Sequence, residues 1–341
     1  PRWQAEPIPL GLSTDILGNA LEARHFDGFA SVAGLKGDAE AAFLNQVRSA
    51  PGFSLLTGTP VIDLLPHGEN RTRIGGVRLG DGRVLHARAV FLAAGALHSP
   101  RILQRYIDEQ GLAARLPAAR QVGRNLKMHL LTAMVAISPG RKTDLLRKTM
   151  IFLNDDLPHS SVQPLGFDGE LISTLIPAAV PRLIARPIGE RAYGFFLQTE
   201  DGAHVANCVR PAHESTQGLP QLDYDPRRTP AALREHRQLV RGFRNALART
   251  GMIAFSQRIG VAGTAHVSGT LTAGRDASDS VVDARGRVHG LDSLYVVDGS
   301  ILPRSSRVNP SLTIYAWSLR IADLYIRRLA AEASVTESTI S

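Results

Sequence analysis

The spacing of apolar positions changes character several times along the 341-residue chain, and each change predicts a different kind of element. A loop-rich entry leads into DAEAAFLNQVRSA, whose period predicts a helix over about 38–49. FSLLTGTPVIDLL then predicts a strand pair broken at Gly58 and Pro60. Next, Val77 and Leu79 alternate with polar positions, Gly80-Asp81-Gly82 supplies a turn, and Val84 and Leu85 return: the pattern of a hairpin. AVFLAAGA is apolar without alternation, as expected of a strand buried on both faces of a parallel sheet. It stops at Gly95, and Ser99-Pro100 has the form of a helix start, with Ser99 at the cap and the helix reaching about Gln110.

From about residue 126 to 250 the segments LLTAMVAI, AYGFFLQTE and HVANCVRP alternate in the manner of half-buried strands, separated by loops rich in proline and glycine. Together they predict an antiparallel sheet with a helix laid against it, starting at Thr229-Pro230. That helix carries Arg234, Arg237, Arg241 and Arg244 on one side and Leu233, Val240, Phe243 and Leu247 on the other. After Gly251 the chain returns to loop, strand and a last helix from Pro310 to about Glu332, with Leu312, Tyr315, Ala316, Leu319, Ala322, Ile326 and Leu329 as its expected core stripe. The final residues, ASVTESTIS, have no apolar face and are expected to fray. The fold class expected is α/β (α+β), a discontinuous first domain with a second, antiparallel domain inserted into it.

Composition changes this picture little. No run approaches the ~18 apolar residues of a membrane span, and the single cysteine, Cys208, closes no disulfide within the chain; both fit a soluble protein in a reducing, cytoplasmic setting. No Cys/His spacing reads as a metal site. The net charge of +8 raises the question of nucleic acid, but the arginines lie on one side of an ordinary amphipathic helix with few aromatics between them, so a solvated face is expected instead. A hydrolase is excluded: there is no G-x-S-x-G, and His213-Glu214 lacks the second histidine of a zinc protease motif.

The chemistry gathers near the C-terminus. Asn309 at a helix cap and Pro310 in the first turn leave N–H groups that carry about half a positive charge, a natural partner for an anion or for a group that becomes anionic. His266 lies in the glycine-rich loop AHVSGT, 43 positions before Asn309. A neutral histidine takes a proton at neutral pH, and an amide holds a hydroxyl without competing for that proton, so the two suit alcohol activation if the fold brings them together. Taken alone, one histidine among 11 is more often a surface or packing residue.

The blocks HVSGTLTAG, SVVDARGRVHGLDSLYVVDGSILP and VNPSLTIYAWSLRIAD strongly resemble the C-terminal region of the glucose-methanol-choline (GMC) oxidoreductases, and AFLNQVRSAPGFSLLTGTPVIDLL, VFLAAGALHSPRIL and VGRNLKMH resemble that family's middle segments in the same order. The resemblance implies an FAD-dependent oxidoreductase acting on the CH–OH group of a small-molecule alcohol, with proton abstraction and hydride transfer to flavin N5. It implies that His266 is the catalytic base and Asn309 the second active-site position. It places Val61 against the adenine side of FAD through its backbone, Gly95 at the end of the strand that approaches the cofactor, Asp298 and Gly299 near the ribityl and pyrophosphate, and Pro310, Ser311 and Leu312 at the N1 and O2 edge of the flavin. The implied domains are a partial FAD-binding domain over 1–125, a substrate-binding domain over 126–250, the remainder of the FAD-binding domain over 251–332, and a disordered tail over 333–341. One part of the pattern is missing: no strand, G-x-G-x-x-G and helix occurs in the sequence, so the FAD/NAD(P)-binding-type domain is expected to be truncated at its N-terminus. The competing expectation is a non-catalytic fragment or assembly subunit that holds FAD only with an N-terminal half supplied separately.

Overall fold

A computed structural model of the chain describes residues 3–24, 30–142, 148–165, 181, 187–211, 219–264 and 266–340; His213 and Glu214 lie outside them. In chain order the elements begin with strand β1 (Trp3–Pro7) and the short helix α1 (Ala20–Arg24), followed by a π-helical turn (Glu40–Leu44) that continues as α2 (Asn45–Val47). Strands β2 (Val61–His67), β3 (Asn70–Leu79), β4 (Val84–His86) and β5 (Val90–Leu92) precede helix α3 (Gly95–Glu109). Then come β6 (His129–Ile137), β7 (Met150–Asn154), β8 (Ser160–Pro164), β9 (Ala192–Glu200), β10 (Cys208–Arg210), β11 (Gln221–Asp223) and helix α4 (Pro230–Arg249). Strands β12 (Ile253–Ile259) and β13 (Leu294–Val296) and helix α5 (Ser311–Ile340) complete the chain.

These elements form two compact units. The first takes Pro1–Thr57, Leu130–Thr199 and Ala231–Gly263; the second takes Gly58–His129, Glu200–Pro230 and Thr264–Ser341. The expected boundaries at 125 and 250 are therefore displaced. Strand β1 pairs antiparallel with β7, Trp3 opposite Asn154, which draws the N-terminal segment into the sheet unit. Strand β12 pairs antiparallel with β6 from Ile253–Ile137 to Ile259–Leu131, so the sheet extends past Gly251.

In the first unit a six-stranded sheet has the order β1-β7-β8-β9-β6-β12. Strand β6 alternates as its sequence predicts, burying Leu130, Thr132, Met134 and Ala136. Met134 and Ala136 share a core with Val162, Phe195 and Leu197 from the sheet and Leu239, Phe243 and Leu247 from α4. The arginine face of α4 is exposed, as the pattern requires, but His236 is also buried in the helix.

In the second unit β3 pairs antiparallel with β2 and β4, and the hairpin closes at the expected turn, with Gly82 at φ 87° and Asp81 accepting the Arg83 N–H. The predicted strand before Gly58 does not form, and HVANCVRP shortens to the three residues of β10. Strand β5 pairs in parallel with β13, Phe91 opposite Tyr295. It is not buried on both faces: Phe91 is 39% exposed, stacked on Tyr295 with ring centroids 5.0 Å apart.

Helix α3 starts one turn before the expected position, at Gly95, which leaves Pro100 inside it. Proline there removes the donor that would reach the Ala96 carbonyl. Thr270 supplies a replacement, its hydroxyl donating to Ala96 O at 2.7 Å. Helix α5 also departs from expectation. The stripe built on Leu312, Leu319 and Ile326 is exposed (75%, 54% and 64%), and Ala316 and Ala322 lie with it, while Tyr315 and Leu329 are half-buried. The packed face carries Ile314, Trp317 and Ile321. Trp317 Nε1 donates to Val296 O at 2.9 Å and Ser318 Oγ to Val297 O at 2.7 Å, pinning the helix along β13. Both faces of this helix are apolar in sequence, and these polar tethers sit on only one of them. The helix continues past Glu332 to Ile340, since a helix already nucleated extends at little cost per residue. Among the described residues no helix is long and apolar enough to cross a membrane.

Candidate active site

The loop after β12 and the turn before α5 meet. His266 Nε2 lies 3.4 Å from Asn309 Nδ2, so the pair that the sequence separates by 43 positions is adjacent in space. The first helical hydrogen bond of α5 runs from Ile314 N–H to Pro310 O at 3.0 Å. Pro310 thus takes the cap position and Asn309 precedes it by one residue, with its amide directed to His266. Ser311 and Leu312 follow in an exposed first turn.

Behind His266 stands a residue that sequence reasoning passed over. His129, the first residue of β6, is 3% exposed, and its Nδ1 lies 2.8 Å from His266 Nδ1. Its Nε2 lies 2.8 Å from the Ser306 carbonyl. Ser306 has φ 63°, a left-handed conformation uncommon outside glycine, which marks the turn as held in place by its surroundings. Burial pushes the His129 pKa below the ordinary histidine value, so the ring is neutral near pH 7. The only sequence signal was its place at the end of VGRNLKMH.

Two carboxylates at the end of β9, Glu200 in its last position and Asp201 just after it, brace this region. Glu200 accepts two hydrogen bonds from Arg304, at 2.9 and 2.7 Å. Asp201 accepts the Met128 N–H at 2.7 Å and the Tyr224 hydroxyl at 2.9 Å, and the Ser305 hydroxyl at 3.4 Å. Burial raises the Asp201 carboxyl to about 7 and lowers the neighbouring Lys127 ammonium to about 8.

The remaining predicted residues form a second group. Gly95, at φ 77°, donates its N–H to Asp298 Oδ2 at 2.9 Å, and the same oxygen accepts the Ser99 hydroxyl. Asp298 Oδ1 accepts the Ser300 N–H at 2.8 Å. The Asp298 carboxylate therefore joins the turns that follow β5 and β13. Gly299 is closely packed: a Cβ there would stand 3.1 Å from Ile314 Cδ1 of α5, so that side chain would have to shift. Val61 opens β2 and borders a groove of about 610 Å³ that also takes in Leu64, Phe91, Ala94, Ile102 and Arg105. His266, Asn309 and the start of α5 are not among the residues lining that groove. Among the described residues no group of three His, Cys, Asp or Glu side chains could hold a metal ion.

Two sequence profiles described as GMC oxidoreductase match the chain, one over residues 9–131 and the other over 203–318. The chain belongs to the GMC oxidoreductase family. It is 30% identical to the 6'''-hydroxyparomomycin C oxidase of Streptomyces lividus over 88% of its own length and 56% of the relative's. It is also 30% identical to the paromamine 6'-oxidase of Streptomyces fradiae, over 85% and 55%. Among solved structures, pyridoxine 4-oxidase from Mesorbium loti superposes with a TM-score of 0.58 at 24% identity, covering 94% of this chain and 72% of that one. Aspergillus oryzae RIB40 formate oxidase, described for its FAD modification, gives 0.64 at 15% identity, covering 85% and 63%. These likenesses show the fold. The GMC chain spans about half the length of the curated relatives it matches.

FAD is the cofactor that goes with this family, and the residues present fit part of it. The exposed first turn of α5 offers N–H groups to an electron-rich ring edge, and a Cβ at Gly95 would meet no atom within 4 Å, so the backbone there is open to close approach. No G-x-G-x-x-G turn, the usual cradle for a pyrophosphate, occurs in the sequence.

Proposed function

We propose that this chain forms the flavin-facing and substrate-facing part of an FAD-dependent oxidoreductase that oxidises a small-molecule alcohol. The observation that carries the reading is the His266–Asn309 pair, 3.4 Å apart in front of the exposed N-terminus of a 30-residue helix. When bound, FAD supplies the hydride acceptor that no side chain can provide. His266 Nε2 takes the hydroxyl proton, and the Asn309 amide donates to the substrate oxygen and holds it in line. Next to Pro310, which has no N–H of its own, the first-turn N–H groups of Ser311 and Leu312 favour negative charge at the adjoining ring edge. Val61 borders the adenine side through its backbone, Gly95 permits close approach, Gly299 lets its turn pack against Ile314 of α5, and Asp298 braces the two turns.

The relatives' names support an alcohol on a small polar molecule: one is a 5-(hydroxymethyl)furfural oxidase and another a pyridoxine 4-oxidase. In protein carrying FAD, His266→Ala should slow flavin reduction by such an alcohol on the order of 10²-fold or more, with the cofactor retained, because general-base catalysis contributes ~10²–10⁴. Asn309→Ala should lose less if its part is orientation. Stopped-flow reduction with paromamine, pyridoxine and hydroxymethylfurfural as probes measures both, and an unchanged rate for the His266 variant overturns the reading.

A further inference from the structure

We propose that His129 is a positioning residue that sets the tautomer of His266 through a relay of hydrogen bonds anchored on the Ser306 carbonyl. The inference rests on His266 being the base. The logic begins at the carbonyl, which can only accept. His129 Nε2, 2.8 Å from Ser306 O, therefore carries the proton of that bond. A neutral imidazole has one N–H, so His129 Nδ1 is a lone pair. It lies 2.8 Å from His266 Nδ1, and a bond between those atoms requires His266 Nδ1 to donate. His266 Nε2 is then left as the lone pair that faces the Asn309 amide, the state a base needs. An isolated neutral imidazole prefers the opposite tautomer, with the proton on Nε2, where it would block the reaction.

The frame around the relay is built from both sides. Asp201 holds the backbone of Met128, next to His129, and the hydroxyl of Ser305, next to Ser306. Glu200 clamps Arg304. The charged groups around the ring are thus Glu200, Asp201, Arg304 and Lys127, and Asp201 acts through the residues flanking the contact. The left-handed Ser306 turns its carbonyl to His129, an uncommon conformation that persists because these bonds fix it.

Asparagine and glutamine separate the two ends of the relay. The amide of His129→Asn sits where Nδ1 sat and offers Oδ1 to His266, whereas the amide of His129→Gln sits where Nε2 sat and reaches only Ser306. The test is nuclear magnetic resonance of the chain with isotope-labelled histidine nitrogens, at a pH above the ordinary histidine range, using a His266→Asn spectrum to assign the signal among the 11 histidines. His266 should show the Nδ1–H pattern in the parent chain and in His129→Asn, and should shift toward the Nε2–H pattern in His129→Gln. An Nε2–H pattern in the parent, an unchanged pattern in His129→Gln, or loss of the Nδ1–H pattern in a cooperatively folded His129→Asn overturns the relay. The measurement needs neither flavin nor turnover, so its failure is separate from failure of the base assignment, which the flavin-reduction rate tests.

Discussion

A second buried histidine has a different job. His236 of α4 is 4% exposed, and both ring nitrogens meet hydroxyls: Thr132 Oγ1 at 2.8 Å and Thr199 Oγ1 at 2.9 Å. Thr199 continues to Ser160 at 2.9 Å, and the Ser160 hydroxyl donates to Glu235 at 2.7 Å. Burial lowers the His236 pKa to about 4, from about 6.5 in an unfolded chain. The folded state thus disfavours the added proton: the contribution to stability is complete above about pH 6.5 and is lost as pH falls toward 4, to a total of roughly 3 kcal/mol. Denaturant midpoints measured between about pH 7 and pH 4 should fall more steeply for the parent than for His236→Gln; equal slopes would remove His236 as a source of acid sensitivity. His129 and His236 were hard to read in the sequence because neither has a partner at helical or strand spacing, and only the fold brings Ser306 and His266 to the one and Thr132 and Thr199 to the other. His266 and Asn309 were legible through the surrounding family blocks, since nothing in their spacing brings them together.

At the scale of the element, helix boundaries were the least legible feature. Ser99-Pro100 has every mark of a helix start, yet α3 begins at Gly95 because Thr270, 174 residues away in sequence, accepts the task of bonding the orphaned Ala96 carbonyl. Thr270 is fully buried, so Thr270→Val keeps the shape and leaves that carbonyl unpaired. The variant should lose about 1–3 kcal/mol of unfolding free energy. A loss within a few tenths would mean that water or another donor serves Ala96. The central strands and α4 were read correctly because their periods, two and near 3.6, were uninterrupted. Helix α5 was misread because apolar residues occupy two of its faces, and the Trp317 and Ser318 bonds to β13 decide which one packs.

At the scale of the whole molecule, the proposed flavin site draws on a helix N-terminus and strand ends, while the 341 residues contain no G-x-G-x-x-G turn, and this fixes an expectation for the polypeptide itself. Titrated with FAD and followed by flavin fluorescence, the 341-residue chain should bind weakly; submicromolar, stoichiometric binding would show that other donors replace the missing turn. Domain order was legible only in outline. Alternation marks a strand but does not say which strand it will join, so β1 and β12 could not be assigned to the sheet of the first unit from sequence. That interleaving has a consequence during synthesis. Trp3 leaves the ribosome 151 residues ahead of its partner Asn154, and at cellular elongation rates the wait is on the order of ten seconds. Strand β1 spends that interval with both edges unpaired, and the polar Gln4 and Glu6 that alternate along it are its own protection against the wrong neighbour.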